Sequence, residues 1–548
     1  MTESNQHIPV SPNPLSADAV EHPLAEGHVA IHDPAIAEEQ GTYYLFGTHR
    51  RFARSKDMVH WERFENNLSR DPYAVLGDIW ESWPKQPSNP NLLSNTWAPD
   101  VIWNAAMNKW CMYLSVNGDH FRSVIVLLTA DHLNEDWTYV GPVVYSGFDE
   151  KTIESTDAPE VLSLASTHSD ITNYDFSRYL SLKDTRINAI DAAPVLCEHG
   201  EMWMSFGSWF GGIWMIKLNP LTGLRDYSVR YPLVKNASDP YYGIKIAGGY
   251  WNSGEGSYFI RSNGWWYLFM SYGWLGRTGG YQIRLFRSKS LLGPYVDQNG
   301  NSAISVGEIP DNHERGAGIR LTSSVQWAGG PMAPSNVEVS QGHNSAIQRS
   351  SDGHIFLVYH TRFAERFSEE DDEDYETHVR ELLPTTNGWL VAAPYEYQGT
   401  VASPPTNRDA IIGEYEVILH DPHSSFNGKR NDNGSYKGIN LPERFTFHED
   451  GRITSGGVIN FFDTPEANLP RSTDGPIVRG TWRILTPSPF VSSADEDTPC
   501  YCTSDVEIRL DDVPYIGVFS VLPREVDNKL VTTFSAIGNN VCIWGSQI

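Results

Sequence analysis

The chain has 548 residues, 40% of them hydrophobic and 12% aromatic, and a formal net charge of −27. That apolar content supplies large cores and excludes a disordered chain. The charge excludes nucleic acid and anionic membrane surfaces as partners, since both would be repelled, and no apolar run is long enough to span a bilayer.

Residues 1–26 are polar and Pro-rich and read as an N-terminal extension. They lack the basic and apolar regions of a signal peptide, so none is expected; action in the cytoplasm and secretion after loss of a leader both stay open. From 27 to 398 the text consists of short apolar-aromatic runs separated by Gly, Asn, Asp and Pro. Helical periodicity is scarce, and alternation such as Tyr281, Ile283, Leu285 predicts strands. The acidic stretch 366–377 reads as a solvated loop. Residues 399–408 read as a linker, and 409–548 return to strand-like runs that predict a separate small, barrel-like all-β domain. The five cysteines have neither disulfide-framework nor CxxC spacing and read as buried or incidental thiols.

An internal repeat organises residues 27–398. A turn followed by an aromatic-rich strand occurs five times, starting at Gly41, Asn108, Gly200, Gly264 and Gly353. Each copy follows a shorter strand that carries a polar residue near its start: Asp33, Asp100, Asp191, Glu255 and His343. The intervals from these residues to the repeat starts are 8, 8, 9, 9 and 10. Five such units predict a five-bladed β-propeller with four strands per blade. The innermost strands of a propeller line one channel, so these five residues are expected to converge there. Confined like charges repel and raise one another's pKa, and such a gathering points to catalysis.

Two facing carboxyl groups can cleave a glycosidic bond, one protonating the leaving oxygen and the other activating water or attacking directly. A third acid can tune the first. No nucleophile elbow, HExxH, Walker loop or dinucleotide motif competes. Trp97, Trp209 and Phe210, beside the expected axis, are candidates for stacking on sugar rings; Asp100 and Asn188 are candidate substrate contacts, though a structural hydrogen-bonding Asp100 fits its position equally well. The glycines flanking Glu255 read as room for a sugar. The tripeptide around Asp33 recurs at His420-Asp421-Pro422 without the repeat context, so Asp421 reads as structural.

The ordered motifs HDPAI (32–36), TWAPDVIW (96–103), NAIDAAPV (188–195), SGEGSYFI (253–260), GHNSA (342–346) and NGWLVAAPY (387–395) resemble glycoside hydrolase family 43, and most closely its two-domain bacterial endo-α-1,5-L-arabinanases. The resemblance implies Asp33 as general base, Asp191 as the residue that tunes and positions the acid, Glu255 as general acid, and inversion at the anomeric carbon. It places His343 beside a metal, calcium, in the channel. It implies arabinan or arabino-oligosaccharides as substrate and a monomeric enzyme. The sequence departs from the family pattern at Ala192 and Ser257, where Pro is common, and at VRELLPTT (379–386). An exo-acting arabinofuranosidase, exo-arabinanase or β-xylosidase of the same family remains an alternative, as does a non-catalytic carbohydrate-binding propeller.

Overall fold

The computed structural model describes residues 27–83, 91–118, 121–165, 179, 186–249, 254–305, 317–327, 337–365, 374–422, 424–432, 436–458, 476–485 and 504–548. The N-terminal stretch 1–26, most of the acidic segment 366–377, Cys500 and Cys502 lie outside them. No helix among the described residues is long and apolar enough to cross a membrane.

Five antiparallel sheets follow one another along the chain, as the repeat predicts. The first blade holds β1 (Ala35–Glu39), β2 (Thr42–Gly47), β3 (Arg51–Ser55) and β4 (Trp61–Arg63); the second holds β5 (Thr96–Asn104), β6 (Lys109–Asn117), β7 (Ser123–Ala130) and β8 (Thr138–Tyr145). The third departs from four strands. It holds β9 (Ala193–Leu196), β10 (Met202–Phe206), β11 (Ile213–Leu218), β12 (Ser238–Asp239) and β13 (Gly243–Ala247), in the order β12-β13-β11-β10-β9. The fourth holds β14 (Glu255–Ser262), β15 (Trp265–Tyr272), β16 (Gln282–Ser288) and β17 (Ile319–Arg320), and the fifth β18 (Glu338–Gln348), β19 (Ile355–Phe363), β20 (Tyr375–Pro384) and β21 (Leu390–Ala392).

The aromatic-rich repeats are the second strands, β2, β6, β10, β15 and β19. They sit between sheet neighbours and between blades, so both faces are covered. β7 is buried at every position and β6 at all but its first. A strand buried on both faces reads as a continuous apolar run instead of an alternation, which is why these segments stand out in the sequence. The outer strand β8 shows mixed exposure at its solvent end.

The C-terminal part closes into an eight-stranded barrel, β22 (Gly413–Leu419), β23 (Glu443–Phe447), β24 (Arg452–Val458), β25 (Ile477–Ile484), β26 (Ser504–Leu510), β27 (Val513–Pro523), β28 (Leu530–Gly538) and β29 (Val541–Gln547). Its interior is filled by Tyr415, Phe445, Phe447, Trp482, Phe519 and Phe534. Outward-facing Ile418, Val518, Leu522 and Trp544 join a core with Trp389, Val391 and Tyr395 of the fifth blade, so the barrel is docked on the propeller by buried apolar surface. His420 belongs to this junction, fully buried against Trp544, while the side chain of Asp421 faces solvent.

Candidate active site

The starts of the five inner strands share one cavity. It is lined by Asp33–Pro34–Ala35, Ala98–Pro99–Asp100, Asp191–Ala192–Ala193, Gly256–Ser257–Tyr258 and His343–Asn344–Ser345, one triplet from each blade. The local backbone has a common device. Asp33, Ala98, Asp191, Gly256 and His343 all have positive φ, between 39° and 57°. Register shifts interrupt the inner strands between Trp97 and Asp100, between Glu255 and Tyr258, and on both sides of Gly342. A bulge with a left-handed residue re-aims side chains at the end of a strand, here toward the axis.

The glycines beside Glu255 have a backbone role as well. Gly254 and Gly256 have φ of +98° and +56°. A Cβ on Gly256 would lie 3.0 Å from the His343 ring, and one on Gly254 would lie 2.9 Å from Met270. They serve backbone conformation and close packing.

Asp33 is buried and held on both oxygens. Its Oδ2 accepts from Thr48 Oγ1 at 2.5 Å and lies 2.8 Å from His32 Nδ1; its Oδ1 lies 3.0 Å from His343 Nδ1. Burial raises its pKa, but the positive charges and hydrogen bonds of His32 and His343 outweigh burial and hold the carboxyl well below the usual range. The backbone N–H of Asp33 donates to His360 Nδ1 at 3.3 Å, and the His360 ring stacks on His32 at 3.9 Å. Thr48 also accepts from the Ala98 N–H at 2.8 Å, tying the first blade to the second.

Glu255 accepts from Tyr281 Oη at 2.7 Å and Ser208 Oγ at 3.0 Å. Burial pushes its pKa up and the Asp33 charge adds to this, while His343, Tyr281 and Ser208 oppose. Asp191 Oδ2 accepts from the Gly256 N–H at 3.4 Å, next to Glu255. Burial, with the charges of Glu255 and Asp33, pushes Asp191 up to about 8 against the opposing charge of His343. His343 itself is raised to about 10: burial lowers it, and Asp33, Asp191 and Glu255 together overcome that. The site therefore combines one carboxyl held ionised with a neighbouring pair that retains a proton.

The remaining candidates divide. Trp209 and Phe210 directly follow Ser208; Trp209 packs edge-on against Trp274 at 5.5 Å, and Phe210 against Phe121. This aromatic group lies beside Glu255. Trp97 is half-buried on the Asp33 side, next to Ala98, with Nε1 donating to the Ser94 carbonyl at 2.9 Å. Asn188 is buried, and its amide oxygen accepts from Ser123 at 2.6 Å, in a chain that continues to Asn117. That bond joins blades two and three. Asp100 is buried in the channel and accepts from the Val101 N–H at 2.8 Å; burial pushes its pKa well above the usual range.

Tyr281, Ser208, Thr48, His32 and His360 were missed as partners of the acids. In the sequence Tyr281 stands out only as part of a strand alternation, and Ser208 does not stand out at all. His32 lies within the HDPAI motif itself.

The channel's donor set fits a hard cation. Asp100 and the side-chain oxygen of Asn344, which is buried without a hydrogen-bond partner, line the same cavity as His343. Oxygen donors of this type suit calcium.

The comparisons agree with this geometry. The chain matches the family model described as glycosyl hydrolases family 43 over residues 22–174 and 162–390, and the C-terminal lipocalin-like domain of that family over 394–545. It is 30% identical over 531 residues to an extracellular endo-α-(1→5)-L-arabinanase of Thermotoga petrophila, covering 94% of this chain and 93% of the relative. It is 31% identical over 527 residues to the extracellular endo-α-(1→5)-L-arabinanase 2 of Bacillus subtilis, covering 95% and 93%. The crystal structure of a family 43 protein from Bacillus licheniformis superposes with a TM-score of 0.70 at 26% identity, covering 96% of this chain and 99% of the other. The T. petrophila endo-1,5-α-L-arabinanase structure superposes with 0.69 at 26%, covering 95% and 99%. With the family model matched along the whole propeller and its companion domain along the barrel, the chain belongs to glycosyl hydrolases family 43.

Proposed function

We propose that this hydrolase cleaves internal α-1,5-L-arabinofuranosyl bonds by a single displacement with inversion. The observation that carries the reading is the asymmetry among the three acids: Asp33 is held ionised while Asp191 and Glu255 are pushed up. Environments that drive carboxyl pKa values apart separate a base from an acid. The arabinan specificity is supported by the two relatives, both named endo-arabinanases and aligned over nearly their full length.

In this scheme the Asp33 carboxylate takes a proton from water as the water oxygen attacks the anomeric carbon. The bond to the leaving oxygen breaks, and that oxygen receives the proton of Glu255. The cycle ends with Asp33 protonated and Glu255 ionised, and exchange with solvent resets both. Asp33 and Glu255 come from the first and fourth blades, an opposition that suits a water between base and sugar. Trp209 and Phe210 would stack on sugar rings beside Glu255. The charge of −27 disfavours approach to the acidic pectin to which arabinan is attached, so debranched arabinan and soluble oligosaccharides are the preferred substrates. The scheme needs no second subunit, and the active unit is taken as a monomer.

Product analysis on linear arabinan is the test. A ladder of oligosaccharides, with the β-anomer first in proton NMR, is expected. Arabinose alone would make the enzyme exo-acting; first release of the α-anomer, or transfer to methanol, would show retention. Release of reducing sugar from xylan only would overturn the substrate, and release from no polysaccharide would leave a binding propeller.

His343, Asp100 and Asn344 would hold calcium in the channel, with waters completing its shell. When bound, the ion supplies a fixed positive charge near the acids. Stripping the protein of metal is expected to lower activity or Tm and calcium to restore it; activity should recover with calcium and not with zinc. An ion bound only to the folded state stabilises by about 2.7 kcal/mol at a hundred-fold excess over Kd. No change in either property after exhaustive stripping would remove calcium from the scheme.

A further inference from the structure

A second cluster of metal-ligating side chains lies where the propeller ring closes. The segment before the first blade runs beside β20 of the last: the Thr377 N–H donates to the Val29 carbonyl at 2.9 Å, and the Ile31 N–H to Thr377 Oγ1 at 3.1 Å. This brings His28 onto Glu376 and His378. His28 Nδ1 lies 2.7 Å from Glu376 Oε2, and His378 Nε2 lies 3.4 Å from the same oxygen. The three residues offer ligand atoms that all lie within 4.8 Å of one another. Bonds of about 2.0–2.2 Å from zinc to nitrogen and oxygen, arranged tetrahedrally, place ligand atoms roughly 3.3–3.5 Å apart. The separations of 2.7 and 3.4 Å from Glu376 Oε2 lie close to that spacing.

The surroundings point to a metal independently. A ligating imidazole ordinarily turns its other ring nitrogen to a carboxylate, which fixes the ring and raises its basicity. Both histidines have this arrangement. His28 Nε2 lies 3.3 Å from Glu396 Oε1. His378 Nδ1 lies 3.3 Å from Glu338 Oε1 and 3.6 Å from Glu396 Oε2, and it is buried without a well-formed hydrogen bond. Glu338 is anchored by Arg380 at 2.6 Å and Tyr359 at 3.0 Å. Glu396 lies against Glu525, which accepts from the Glu396 N–H, and Arg380 pairs with Glu338 and Glu525. Glu338 and Glu376 are buried, and buried carboxylates need positive charge beside them. Two imidazoles and one carboxylate suit zinc better than calcium.

We propose that His28, Glu376 and His378 bind a zinc ion, with water in the fourth position, and that this ion clips the segment before the first blade to the last blade. The site is separate from the catalytic channel and its role is ring closure. Protein purified without affinity metal and dialysed is expected to contain close to one zinc per chain by elemental analysis. Stripped full-length protein should rebind zinc, and the cobalt-substituted form should show the intense visible bands of a tetrahedral centre. His28→Ala and Glu376→Gln should abolish both signals, and Glu396→Gln should weaken zinc binding by about 10–100-fold. With calcium held in excess, wild-type Tm should fall on loss of zinc and recover when zinc is added back, whereas Tm of His28→Ala should not respond to zinc. Absence of zinc binding by the stripped wild type would overturn the proposal without reference to any variant's folding. So would zinc binding that survives His28→Ala and Glu376→Gln, which would locate the ion elsewhere, as at His32, Asp33 and His360.

Discussion

Glu255→Gln and Asp33→Asn are each expected to lower kcat by about 10²–10⁴-fold, the ordinary worth of a general acid or base. Both changes keep side-chain volume and remove the ionisable group. Tyr281 and Ser208 donate to different oxygens of Glu255, so in Glu255→Gln the amide oxygen keeps one of these bonds and the NH2 group donates to the other hydroxyl, which can turn to accept. Asp33→Asn carries more structural risk, because Asp33 faces both His32 and His343 in a buried site, and removing one partner of a buried pair costs roughly 3–5 kcal/mol. Circular dichroism and Tm therefore accompany the kinetics. The two roles separate with the leaving group. An aryl arabinofuranoside, whose leaving oxygen needs little protonation, should restore much of the rate of Glu255→Gln and little of that of Asp33→Asn. Asp421→Ala, which changes the exposed side chain of the second copy of the tripeptide, should be silent. A folded Glu255→Gln or Asp33→Asn enzyme with near-wild-type kcat on arabinan would break the assignment.

Asp191→Asn is expected to cost nearly as much at neutral pH and, in addition, to move the basic limb of the pH profile to lower pH. The acid must carry its proton, so activity is lost as pH rises through the pKa of the Asp191–Glu255 pair. Burial and mutual repulsion raise that pair, Asp191 to about 8. Their titration belongs to both residues together. A neutral Asn removes one of the charges that disfavour ionised Glu255, whereas Tyr281, Ser208 and His343 still favour it. The proton then leaves at lower pH. The acid limb follows Asp33, which His32 and His343 hold below the ordinary carboxylate range against burial. That limb should lie at low pH and stay in place in Asp191→Asn. A kcat–pH profile whose basic limb is unmoved, or moves upward, would remove Asp191 from the tuning role.

Much of the architecture was legible because it is periodic. A strand covered on both faces must be apolar throughout, so β2, β6, β10, β15 and β19 read as five aromatic runs after turns, and the polar residue upstream of each marked the start of an inner strand. Blade three broke the expected four-strand count, because the two-residue strand β12 has no signature that alternation could reveal.

Local pattern and chain order carry the five-fold repeat, the barrel that follows it, and the polar residues Asp33, Asp100, Asp191 and His343 of the channel, with Glu255 next to Gly256 of its wall. Features that need distant groups to meet leave no such trace. The left-handed backbone at Asp33, Asp191 and His343, uncommon for any residue but glycine, carries no mark in the local sequence. The partners that set each acid's proton affinity come from far along the chain, as Tyr281 does for Glu255 and His343 for Asp33. Burial is the first cause of the upward shifts of Asp191 and Glu255, and it exists only once the blades have closed around them. His28 meets Glu376 across 348 positions for the same reason: closing a ring joins the two ends of the repeat, where no local pattern extends.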